Sequence, residues 1–197
     1  RSTLSSSSAA SDVYKRQLIL LALVSVLTLL TAKIIVMSPW PSNLIPVAVA
    51  SMLIAVLINS RLAIVATCFL SIMVGIVSGN RVDIAGMSFV GGIVSVFAMQ
   101  GVRRRSQVIA AGLCVGLANT SYLISMGLIR GLDFNAYITE AMFGFTNGIM
   151  SSVIVTGILP IFENTFKITT DISLLELADL NHPLLKEMVI KLSLIHI

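Results

Sequence analysis

One stretch limits the choice of fold more than any other: "LILLALVSVLTLLTAKIIVM", Leu18–Met37, runs for 20 residues with Lys33 as its single charge. A helix needs about 20 apolar residues to cross the hydrocarbon core of a bilayer, and about 17 at the least. Five further runs come close to that ruler: Leu44–Ile58, Leu62–Ser78, Ile84–Gln100, Val108–Ile129 and Tyr137–Leu159. The expected fold class is therefore an all-α membrane protein, a polytopic helical bundle of about six transmembrane helices. A soluble alternative fails on composition. With 56% hydrophobic and 11% charged residues, too few charges exist to cover the apolar surface of a water-exposed fold.

The punctuation between runs agrees. Two prolines in "SPWPSN" end the first helix, and Trp40 suits the headgroup level. Pro46 falls in the first turn of the second run, where proline is tolerated. Turns such as "NSR" (Asn59–Arg61) and "GNRVD" (Gly79–Asp83) are too short to hold a soluble domain, so neighbouring helices must run antiparallel. No internal repeat is visible.

Basic residues set the expected orientation. Arg103, Arg104 and Arg105 form the densest positive cluster, which assigns that loop to the cytoplasm under the positive-inside rule. Alternation then places Arg61 and both ends inside, and "SPWPSN", "GNRVD" and "RGLDFN" outside. Arg81 and Arg130 fall on the unfavoured side, each beside an aspartate, Asp83 and Asp133 respectively. A sharper reading of the arginine triplet, an anionic lipid or nucleotide site, stands beside the topological one. The basic residues are few and sit at the ends of apolar runs, so no nucleic-acid partner is expected.

Ionisable residues in mid-span would mark a pump or transporter, because burying a charge there is costly. The runs carry almost none. Lys33 is close enough to a helix end to snorkel. Glu140, one turn into the sixth run, is the single acidic candidate for a site; its plainer role is an interfacial residue pairing with a headgroup or Arg130. Small residues are what the runs do carry at packing spacing: Gly112 and Gly116 in "GLCVG", Gly144 and Gly148 in "GFTNG", and Gly91-Gly92. Asn119, Thr146 and Asn147 are expected to hydrogen-bond between helices, with a small polar ligand pocket lined by the fifth and sixth helices as the alternative. Cys68 and Cys114 have no partner at metal or disulfide spacing and read as small buried hydrophobes.

The two ends need separate treatment. Residues Asp12–Gln17 back-translate as GAT GTG TAT AAG AGA CAG, and the reverse complement CTG TCT CTT ATA CAC ATC encodes Leu192–Ile197 letter for letter. This relation is that of adapter sequence flanking a DNA fragment. Residues 1–17 and 192–197 are accordingly expected to be adapter-derived artefacts, leaving a transmembrane domain over 18–166 and a connector over 167–191.

Past Leu159 the character of the chain changes. Pro160 is expected to disturb the helix, and "FENTF" places Glu163 and Asn164 between aromatics, where a helix would leave the bilayer. Thr169 or Thr170 suits an N-cap with Asp171 in the first turn, and Ser173 with Glu176 offers an alternative capping box. Leu174, Leu177, Leu180 and Leu184 then recur at helical spacing around Asn181-His182-Pro183. An amphipathic connector helix is expected here.

"LPIFENTFKITTDISLLELADLNHPLLKEM" resembles the junction of the bacterial seven-transmembrane HD phosphohydrolases, with its LP-x-x-E-x-x-F-x-ITT and LLEL-x-x-x-N-x-PLL segments. The matching positions are Leu159, Pro160, Glu163, Phe166, Ile168, Thr169, Thr170, Leu174, Leu175, Glu176, Leu177, Asn181, Pro183, Leu184 and Leu185. "NLIPVAVASML", "VRRRSQ" and "GLANTS" are similar to the same family's membrane region. The resemblance implies a larger architecture: an extracytoplasmic sensor domain, seven membrane helices in a bacterial inner membrane, and a cytoplasmic HD domain that hydrolyses cyclic-di-AMP at a pair of divalent metal ions. By the topology count the sensor domain and the first of the seven helices are expected to lie outside this stretch, which also ends shortly before the family's first HD-domain histidines would be expected. A two-metal hydrolase needs several His and Asp ligands, and His182 in "NHP" is a lone capping or surface residue. No catalytic, cofactor-binding or metal-binding residue is assigned within the chain.

The function expected on this reading is anchoring and signal transmission for an HD-type phosphohydrolase, with the bilayer, the sensor and HD domains and a second copy of the chain as partners. The alternative is a small polytopic transporter or channel component; a third is a structural anchor whose glycines serve only to hold an oligomer together.

Overall fold

The computed structural model describes residues 2–131, 133–166, 170, 172 and 174. The described chain is helical, with no strand among these residues. Six α-helices follow in order: α1 (Ser2–Met37), α2 (Val47–Leu57), α3 (Ser60–Val77), α4 (Val82–Ala98), α5 (Arg105–Arg130) and α6 (Phe134–Phe166), with a short 3-10 turn at Ser42–Leu44. Among the described residues α3, α5, α6 and the Tyr14–Met37 part of α1 are long and apolar enough to cross a membrane. α2 and α4 are apolar but shorter.

The expected helical bundle is present, with every apolar run forming a helix. The second run is the one that departs. Instead of a continuous span from Leu44, the chain makes the 3-10 turn, extends through Ile45 and Pro46, and gives α2 only 11 residues, about 16 Å of rise. Extended backbone at Ile45 (φ −63°, ψ 118°) leaves polar groups without helical partners, and the cause is Pro46, which disfavours helical geometry in the residue before it.

At the other end the departure is of opposite sign. Pro160 lies inside α6, which continues to Phe166. A proline removes one helical hydrogen bond, yet Leu159 and Phe162 on either side of it are buried in the core, and Phe162 stacks on Phe166 with ring centroids 5.9 Å apart. Packing holds the helix through the defect.

Turn chemistry aligns the helices antiparallel. Asn59 Oδ1 accepts a bond from the Arg61 N–H and caps α3. Gly79 (φ 84°) and Asn80 (φ 60°) take two left-handed conformations in succession between α3 and α4, which glycine and asparagine tolerate best. Gln107 Oε1 accepts from the N–H groups of Arg103 and Arg104 at the start of α5. Arg103, Arg104 and Arg105 are exposed, as expected of a loop outside the bilayer. Two pockets place the α2–α3 turn, the α4–α5 loop and Thr170 together at one end of the bundle; the Asp83–Arg130 contact marks the other.

α5 and α6 share the most extensive contact, and glycine is the reason. A Cβ on Gly148 would lie 2.5 Å from the Gly116 Cα and 2.6 Å from the Gly112 oxygen, and one on Gly112 2.8 Å from the Gly148 oxygen. The two backbones meet with nothing between them, the small-residue packing expected from the sequence. Lys33 and Trp40 are exposed. Cys68 is half-buried and Cys114 exposed, which corrects their reading as buried core: both are on helix faces where lipid serves as well as protein.

Candidate functional site

Three polar features sit in an otherwise apolar bundle, one at mid-depth and one at each end. At mid-depth the interior is lined by small polar side chains. Ser51 and Thr67 bridge α2 and α3 at 2.6 Å while each also bonds its own helix, Ser51 to the Val47 carbonyl and Thr67 to the Ala63 carbonyl. α4 crosses just above this pair: a Cβ on Gly92 would fall 3.0 Å from Ser51 Oγ. We expect Ser51→Ala to destabilise the domain by about 1 kcal/mol, the usual net worth of one such bond, measurable as a shift in thermal unfolding in detergent.

Asn147 is the centre of this level. Its Nδ2 donates to the Asn43 carbonyl at 2.7 Å and the Ile45 carbonyl at 3.0 Å, while its Oδ1 accepts from Ser151 Oγ at 3.2 Å. Those two carbonyls belong to the unwound segment ahead of α2. Measured along α6, Asn147 stands 13 residues from Phe134, about 20 Å below that end of the helix. Irregular backbone at such a depth is tolerated only when protein satisfies its polar groups, and Asn147 does so. Asn119, also buried, lies between α4 and α6 against Gly91 and Gly144. Its Oδ1 and the Ser88 Oγ are buried without a hydrogen-bond partner among the described residues.

The inter-helix bonding expected of Asn147 is thus found, directed to backbone rather than to a facing helix. Thr146 corrects the same expectation: it is exposed, and its hydroxyl bonds the Met142 carbonyl one turn back in α6. Here the threonine satisfies itself within its own helix, which needs no neighbour.

At the end away from the arginine loop, Asp83 joins two helices. Its Oδ2 accepts from Arg81 Nη2 at 2.9 Å and from Arg130 Nη1 at 3.2 Å. The Arg130 partner is therefore Asp83, not Asp133. Asp133 is exposed and instead starts α6 with its carbonyl, which accepts from the N–H groups of Ala136 and Tyr137. Antiparallel packing of α4 on α5 brings the first turn of one beside the last turn of the other, which short-range reading of "RGLDFN" does not reveal. Glu140, half-buried, acts on Arg130 electrostatically without an ion pair to it among the described residues. Asp83→Asn is expected to weaken the α4–α5 junction by about 1.5–3 kcal/mol, the range for bonds to charged groups; unfolding midpoints of variant and parent at low salt would check it.

At the opposite end the chain folds back on the bundle. Thr170 and Ile172 are buried, and Ile172 belongs to the same core as Met99 and Val108. Thr170 Oγ1 donates to the Glu163 carboxylate, and the Leu174 N–H bonds the Thr170 carbonyl at 3.0 Å, one helical turn. The capping roles expected of Thr169, Asp171, Ser173 and Glu176, the leucine pattern at Leu177, Leu180 and Leu184, and His182 lie outside the described residues. Among the described residues no three His, Cys, Asp or Glu side chains come together to hold a metal ion.

Residues 6–170 match the model for the 7TM receptor with intracellular HD hydrolase. The chain belongs to this family. Among relatives of this 7TM-HD chain, the cyclic-di-AMP phosphodiesterase PgpH of Bacillus subtilis (strain 168) is 32% identical over 157 residues, 74% of the chain and 22% of that protein. PgpH of Listeria monocytogenes serotype 1/2a (strain 10403S) is 30% identical over 152 residues, 75% of the chain and 21% of that protein. The 7TM-HD chain thus spans about a fifth of the length of the curated relatives it matches. No solved structure matches it significantly. It is the membrane part of an HD-hydrolase type of protein and a multi-pass membrane protein; the transporter reading is not favoured.

Proposed function

We propose that this membrane domain anchors a cytoplasmic HD hydrolase acting on cyclic-di-AMP and transmits to it a signal received at the end of the bundle marked by Asp83. Kinship with the two PgpH phosphodiesterases supplies the substrate class. The observation that carries transmission is the junction itself: Ile172 sits in the bundle core and Thr170 bonds Glu163, so movement of α6 is passed to whatever follows. On this reading residues 18–166 are the membrane domain, 167–191 the connector, and the connector end is cytoplasmic. The metal pair belongs to the HD domain; the described residues bring no three His, Cys, Asp or Glu side chains together to hold one.

Full-length protein in proteoliposomes tests the proposal. Removing the Thr170–Glu163 bond with Glu163→Leu or Thr170→Val is expected to change cyclic-di-AMP turnover at least threefold, while the isolated HD domain is unaffected. Unchanged turnover in correctly inserted protein would exclude transmission through this junction.

A further inference from the structure

We propose that the groove between α3 and α4 holds an acyl chain of an anionic phospholipid whose phosphate rests on Arg81. The groove has a volume of about 220 Å³ and an apolar floor formed by Ile72, Ile76, Val82 and Ala85, with Asn80 and Arg81 at its rim. Gly75 sets its shape. A Cβ there would lie 2.7 Å from the Ala85 Cβ, so the helices touch at that point and leave the hollow beside it. Ile72, Ile76 and Val82 are 56%, 55% and 74% exposed. Ile72 and Ile76 lie on α3, which is long and apolar enough to cross a membrane, and such side chains on a spanning helix face hydrocarbon, so this side of the groove opens into the bilayer rather than toward water.

Charge selects the head group. Two guanidiniums, Arg81 and Arg130, share one carboxylate oxygen of Asp83. One carboxylate thus faces two cations, and of the two arginines it is Arg81 that lines the groove. Its side chain is 46% exposed, and beyond the Nη2–H that reaches Asp83 it keeps donors in the planar fork that suits phosphate oxygens. The left-handed pair Gly79 and Asn80 fixes where Arg81 emerges, at the rim of the groove beside its apolar floor. The amino-terminal turn of α4 begins one residue later and adds the positive end of its dipole. A cation at headgroup height over an apolar slot matches a phospholipid; a soluble anion would need only the upper half.

The test is titration of the detergent-purified chain with dioleoyl-phosphatidylglycerol, read by native mass spectrometry. One retained lipid is expected. Arg81→Gln should weaken retention five- to tenfold. Ile76→Trp, which fills the groove from its lipid-facing side and leaves the Asp83 contacts intact, should do the same, while Arg103→Gln on the far loop leaves retention unchanged. If Arg81→Gln unfolds, Ile76→Trp carries the test alone. Retention by Arg81→Gln or Ile76→Trp equal to the parent would overturn the proposal. Equal loss in Arg103→Gln would reduce it to bulk charge, displacement by inorganic phosphate would make it a phosphate-ion site, and equal retention of phosphatidylcholine would remove the requirement for an anionic lipid. Each of these three also rejects it.

Discussion

Replacing Asn147 by Leu will cost this membrane domain roughly 3–5 kcal/mol. The Asn43 carbonyl loses its Nδ2 donor and is left orphaned, the Ile45 carbonyl loses one of its two donors and keeps the Val47 N–H, and Ser151 loses the acceptor of its hydroxyl. A buried polar group left unsatisfied costs about 1–3 kcal/mol, and at mid-membrane depth no water substitutes. The leucine also forces a branched side chain into a position 3% exposed. The readout is a thermal unfolding midpoint in detergent, expected to fall by roughly 10 °C at about 2–4 °C per kcal/mol for a chain of this size. Asn147→Gln, which keeps the amide but displaces it, should lie between. A midpoint within 2–3 °C (about 1 kcal/mol) of the parent would show that the unwound segment is satisfied by other means.

The second large effect comes from glycine. At Gly148 an added methyl meets the Gly116 backbone at 2.5 Å and the Gly112 oxygen at 2.6 Å. Neither neighbour is a side chain able to swing aside. α5 and α6 must separate along their most extensive contact, so Gly148→Ala should destabilise by about 3 kcal/mol, at the upper end for overpacking. Gly157, nine residues on in the same helix, has nothing within 4 Å of its would-be Cβ. Gly157→Ala should therefore be neutral or stabilise by up to about 1 kcal/mol through helix propensity. The contrast is the test: two identical substitutions in α6, one strongly destabilising and the other neutral or stabilising. Similar values for both would mean that the helices are not in the close contact described.

The residues that sequence reasoning read well and badly differ in a physical way. Helices α1 and α3 to α6 announced themselves because apolar length is a local property. The Gly112/Gly116 and Gly144/Gly148 pairs did too, since a spacing of four keeps both on one face. Asn147 was legible as an inter-helix donor but not its acceptors, because main-chain carbonyls 104 and 102 residues away leave no mark in the side-chain alphabet. Ser51 and Thr67 escaped notice for another reason: Ser and Thr in apolar helices usually bond their own preceding turn, and these do so as well as bridging. The Asp83–Arg130 pair required knowing which helix ends adjoin. Pro160 misled because a rule about isolated helices was applied where burial of Leu159 and Phe162 on either side holds the chain in the core.

The re-entrant turn ahead of α2 has a consequence for biogenesis. A helix of 11 residues preceded by a turn whose Asn43 carbonyl takes its donor from α6 is a poor substrate for insertion by itself, since stable segments ordinarily enter the bilayer as complete helices and associate afterwards. The amide that completes it is synthesised about a hundred residues later, in α6. Until that amide arrives, the early part of the chain must wait in an unfinished arrangement, and a ribosome stalled between Ile58 and Asn147 holds a protein that cannot settle. α6 is what allows α2 to stay in the membrane.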